Sequence, residues 1–141
     1  MPNLASQADV EVLRALFATA NTVEADNEKL LELTETAVLK KNPLEYAYHA
    51  GGLMSMANHA YWPGTKLTYF NEGKVKLEKA VNFAFQNVEI RFIRYAIQKN
   101  APAMLGYDSK LQQDKEFILK KMNTTDWSEK YKQEVKDFLN N

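Results

Sequence analysis

The chain has 141 residues, 45% of them hydrophobic and 26% charged, proportions of an ordinary folded protein that exclude both a disordered segment and a membrane-embedded one. It has no cysteine, which excludes disulfides, thiolate metal sites and cysteine nucleophiles. The 18 basic and 18 acidic residues cancel, and no apolar run approaches the roughly 20 residues of a membrane span.

Helical periodicity runs almost from end to end, with no competing window of alternating β-branched residues. A first helix is predicted from the box Ser6-x-x-Asp9 to about Asn21, with Val10, Leu13, Phe17 and Ala20 on one side. The second is predicted over Val23 to Lys41. It opens on Glu24, Asp26 and Glu28 and closes on Lys40 and Lys41, the charge order that the helix dipole favours.

Pro43 starts a third helix, predicted to run to Tyr61, in which Ala47, Gly51 and Ser55 form a row of small residues with Ala50, Gly52 and Ala57 beside them. Glycine costs a helix interior about 1 kcal/mol relative to alanine, so the row predicts a tightly packed face, first against another helix and secondarily as a ligand slot. Trp62-Pro63-Gly64 then breaks the chain. A fourth helix follows over Thr65 to Phe85, with Leu67, Phe70, Leu77, Val81 and Ala84 at core spacing and Gly73 and Ala80 as small contacts.

The fifth helix begins at Val88 after a very short turn, and it is the most informative segment. Arg91, Arg94 and Gln98 lie at i, i+3 and i+7 and form a polar stripe in an otherwise apolar helix. Buried guanidinium groups need partners. Glu45, Glu72 or Asp114 could supply them, as could carbonyls of the loop from Ala101 to Tyr107; the functional alternative is a clamp in which the stripe grips a small anion, with Tyr95 and Tyr107 as walls. Asn100-Ala101-Pro102 ends the helix. The boxes Ser109-x-x-Gln112 and Asp126-x-x-Glu129 open two more, with Leu111, Phe117, Ile118 and Met122 buried in the sixth and Trp127, Tyr131, Val135 and Phe138 in the last. The C-terminus is expected to dock.

The segment from Gly73 to Tyr95 resembles the second half of a tetratricopeptide repeat running into its successor. Gly73 and Ala80 fall on the family's small-residue positions, and Gln86-Asn87-Val88-Glu89 resembles its inter-repeat turn. Phe85 stands where the family's proline usually lies and Arg91 where its aromatic is expected, and the family's period of about 34 residues is not repeated. The stretch from Tyr69 to Tyr107, with its R-F-I-R-x-x-I-Q-x-N-A-P-x-x-L-G-Y core, is similar to a group of small bacterial proteins of unknown function. The first resemblance implies stacked helical hairpins and a groove for a peptide or partner helix; the second implies no activity.

Other chemistry is sparse. Glu45 and His49 share a face and could form an acid–base pair, but neither a Glu-x-x-His repeat nor a second histidine in register is present, so no metal is expected. No serine lies in a nucleophile turn and no glycine loop cradles phosphate, so no cofactor and no enzymatic activity are expected. Acids prevail over residues 1–36 and bases over 37–100, yet no basic cluster or nucleic-acid module accompanies them, and nucleic-acid binding is not expected. Tyr46, Tyr48, Tyr61, Trp62 and Tyr69 gather around the third helix and its turn as a candidate partner surface.

The expectation is therefore one all-α domain over residues 1–141. It comprises about seven antiparallel helices, arranged as tetratricopeptide-like hairpins or as an irregular bundle, and acts as a non-enzymatic binder of a protein or peptide. The alternative is a binder of a small anion through Arg91 and Arg94. The start M-P-N-L-A-S-Q-A-D-V has neither a basic stretch nor an apolar one, so a soluble protein, cytoplasmic or exported in mature form, is expected.

Overall fold

The computed structural model describes residues 2–141, with side chains from residue 10 onward. The chain is all-α. Among the described residues there are seven helices and no strand: α1 (Pro2–Ala20), α2 (Glu24–Thr34), α3 (Pro43–Met56), α4 (Pro63–Phe83), α5 (Val88–Asn100), α6 (Leu111–Lys121) and α7 (Glu129–Leu139). No described helix is long and apolar enough to cross a membrane. The residues group into two compact units, 1–85 and 86–141.

The first unit holds α1 to α4, each antiparallel to the next. Thr19 on α1 donates to Asp26 on α2 at 2.6 Å. Leu30 and Leu31 of α2 lie over Gly52 of α3, while Thr34 reaches back to His49. Leu13, Leu30, Tyr48, Phe70, Leu77 and Val81 are buried, and Phe17 meets the Tyr48 ring edge-on at 5.6 Å.

The small residues act at the closest approaches. A Cβ on Gly73 of α4 would lie 2.6 Å from the Ala50 carbonyl oxygen and 3.0 Å from the Met54 amide nitrogen on α3, and one on Gly52 would lie 2.9 Å from Leu31 Cδ2. Glycine at these positions lets the α3 backbone come against α4 and α2. Leu67, expected in the core, is about half exposed. Its level on α4 matches the end of α3, where Lys66 Nζ donates to the Ala57 carbonyl, so little of α3 remains to cover it.

Helix ends depart from the sequence pattern for local reasons. α1 already runs through Ser6, and the side chains of the expected Ser6/Asp9 box lie outside those described. α2 stops at Thr34 rather than Lys41. The Thr34 hydroxyl donates back to the Leu30 carbonyl at 2.8 Å, a local bond that competes with continuation, and the chain then turns through Ala37 to Thr34. α3 ends at Met56, short of Tyr61.

The second unit is an up-down-up arrangement of α5, α6 and α7. Val88, Tyr95, Ile118, Met122, Trp127, Val135 and Leu139 form its core, with Phe92, Phe117, Tyr131 and Phe138 packed against it. Asn87 caps α5 by accepting from the Ile90 amide at 2.9 Å. Neither downstream box forms as expected: α6 has Lys110 at its N-cap with no side-chain bond, and α7 is capped by Ser128, which accepts from the Tyr131 amide. The C-terminal helix docks on α5. Lys99 Nζ donates to the Phe138 carbonyl at 3.0 Å, where a cation also suits the helix dipole, and Tyr95 Oη donates to the Leu139 carbonyl at 3.3 Å.

Candidate functional site

The arginine stripe of α5 lies inside the protein, with Arg91 and Arg94 only 2% and 3% exposed and Gln98 buried with them. Asp114 on α6 meets it. Arg91 Nε donates to Asp114 Oδ1 at 2.7 Å, and Arg94 donates through Nε to Oδ2 at 2.8 Å and through a terminal nitrogen to Oδ1 at 2.9 Å. Their lengths are those of charge-assisted bonds.

One helical turn further, the Phe117 ring centre lies 4.1 Å from the Arg91 guanidinium carbon, a cation–π contact on a desolvated face. Gln98 Oε1 accepts from the Lys110 backbone amide at 3.0 Å, so the last member of the stripe holds the start of α6. Its Nε2 is buried and without a hydrogen-bond partner. Tyr95 is engaged by Leu139 and Phe138, and Tyr107 is buried. Of the proposed clamp, the three stripe residues therefore meet at α6, and Tyr95 faces α7.

The expected partner surface divides. Tyr48 is 1% exposed and packs on Phe17, so it belongs to the core; its place on α3 faces α1. Tyr46 is half-buried, with Lys76 Nζ 5.2 Å from its ring centre. Tyr61 and Trp62 stand out, 81% and 67% exposed, with their rings edge-to-face at 4.9 Å. Trp62 heads an open groove of about 590 Å³ along the first turns of α4, lined also by Gly64, Thr65, Thr68, Tyr69 and Glu72.

Comparison with family models, curated proteins and solved structures finds no match to the chain. The sites are therefore read from their own chemistry.

In the groove, Thr68 donates its hydroxyl proton to the Gly64 carbonyl at 3.0 Å. Trp62 Nε1, the Thr65 hydroxyl, the Tyr69 hydroxyl and the Glu72 carboxylate form no hydrogen bond with another described residue. Thr65 and Thr68 escaped the sequence reading, and Glu72 entered it only as a possible arginine partner, since exposed polar residues on a helix look like any solvated face. The signal available was spacing: Trp62 with Tyr69 and Thr65 with Glu72 each lie seven apart, two parallel rows on one side of α4.

His49 lies half-buried near this helix pair. Its Nδ1 is 2.9 Å from Thr34 Oγ1, within hydrogen-bond distance. Burial lowers its pKa below the ordinary value, and Lys76 adds to this; Glu72 and Glu35 act in the opposite direction. Among the described residues no three histidines or acids converge in a way that could hold a metal ion.

Proposed function

We propose that the protein is a helical scaffold that binds a protein or peptide segment at the groove headed by Trp62, with Tyr61 packed against that ring. The exposure of these two adjacent rings is the observation that carries the reading. Large aromatics with a polar tip are the commonest energetic anchors of protein interfaces, and the edge-to-face contact holds both rings in one presentation before any partner arrives. Stacked antiparallel hairpins of the kind that the tetratricopeptide resemblance implies suit such a role. The anion alternative draws no support from the geometry, because Nε of both arginines is engaged by the buried Asp114.

The test is selection from a random peptide library on the native chain and on a variant carrying Tyr61→Ser and Trp62→Ser. Families enriched on the native protein are expected to lose retention on the variant. Equal retention on both would remove this surface as the site.

A further inference from the structure

We infer that the groove along α4 is built for an extended, proline-rich peptide carrying a basic residue; this rests on the peptide-binding reading above and names its ligand. The first reason is hydrogen-bond arithmetic. Trp62 Nε1, Thr65 Oγ1 and Tyr69 Oη offer three uncommitted donors. A polyproline II segment has no internal hydrogen bonds, so every carbonyl is an open acceptor, while each proline lacks the N–H that would otherwise need an acceptor in return. A donor-bearing groove and an acceptor-rich chain match. An amphipathic helix, whose backbone groups are already satisfied, makes no use of those donors.

The second reason is spacing. Trp62 is the extended N-cap of α4, and Tyr69 lies six residues beyond Pro63, the helix's first residue, about 9 Å along the axis. One turn of polyproline II spans about 9.3 Å in three residues. Prolines at positions i and i+3 therefore sit over the two aromatic rings, the way aromatic-lined grooves hold such segments.

The third is charge. Glu72 is exposed at the far end of the lining, about 4.5 Å of helix beyond Tyr69, and has no ion-pair partner among the described residues. It faces a position one or two residues past the second proline, which calls for arginine or lysine there. The recognised pattern is Pro-x-x-Pro followed closely by a cation, with Tyr61 bracing Trp62 from behind.

The experiment is fluorescence anisotropy with labelled synthetic peptides on the full chain. One decapeptide carries Pro-x-x-Pro-x-Arg, a second has both prolines replaced by alanine, and a third is an amphipathic helix of equal charge. The proline peptide is expected to bind best, with the alanine peptide and the Trp62→Ala variant each at least about tenfold weaker. Glu72→Gln is expected to weaken binding about threefold to tenfold and to flatten its salt dependence. Circular dichroism confirms that these surface variants fold. Equal binding of the alanine peptide overturns the inference. Preferred binding of the helical peptide overturns it too while leaving a peptide-binding surface, and binding of none of the three overturns both readings together.

Discussion

Replacing Asp114 by asparagine keeps the side chain's shape and removes its charge, leaving the α5 guanidinium groups without the anion that binds both. Three charge-assisted bonds of 2.7 to 2.9 Å change. Two retain a weaker amide acceptor at best, and the third meets an NH₂ group that cannot accept at all. Breaking a buried ion pair from one side costs about 3–5 kcal/mol. The unit over residues 86–141 is expected to have only about 3–8 kcal/mol of total stability at its size. With a urea dependence of about 1 kcal/mol per molar, the midpoint should fall by about 3 M or more, so the unit stands near or past its unfolding threshold in plain buffer. Trp127, 4% exposed in this core, reports the transition by fluorescence in a Trp62→Phe background. The triple change Arg91→Met, Arg94→Met and Asp114→Leu should recover native stability, since matched apolar groups replace a buried ion pair at little cost. A midpoint shift below about 1 M for Asp114→Asn would show that the carboxylate is not what neutralises the stripe.

Two further changes probe the first unit. Gly73→Ala gains about 1 kcal/mol of helix propensity but drives a methyl group into the Ala50 carbonyl and the Met54 amide, backbone atoms that cannot turn aside. A net loss of about 1–2 kcal/mol is expected in urea unfolding, whereas Gly64→Ala, with nothing within 4 Å, should be neutral or gain up to about 1 kcal/mol; equal effects at both would refute close packing at Gly73. The lowered pKa of His49 makes its folded state bind protons less readily than the unfolded chain. Its stabilising contribution is then complete above pH 6.5 and lost as pH falls through that value toward the folded pKa. Between about pH 7 and pH 5.5 the native chain should lose more thermal stability than His49→Gln, and parallel curves for the two would contradict the assignment.

The seven helices could be read from the sequence because each buries a face at the 3.6-residue period, and that burial decides secondary structure over long windows. Their ends could not. α6 follows an N-cap residue, Lys110, whose amide is bound by Gln98, twelve positions earlier and on another helix, and no local pattern carries a tertiary cap. The stripe of Arg91, Arg94 and Gln98 was evident from charge in an apolar helix, and Asp114 was one of three acids that could meet it; only the antiparallel return of α6 selects it. Tyr48 looked like its neighbours Tyr46 and Tyr61, yet the direction of α3 turns it inward onto Phe17. The groove was half readable: its aromatics showed in composition, its threonines and Glu72 only once α4 set them side by side.

One aspartate serving two arginines also constrains how this sequence can drift. A lineage that alters position 91, 94 or 114 singly passes through an ancestor with a mismatched interior, so the three are expected to be inherited as a block and replaced together or not at all. Neutral variation should collect instead on the outward row of α6, at Gln112, Gln113, Glu116 and Lys120, where solvent tolerates almost any polar residue.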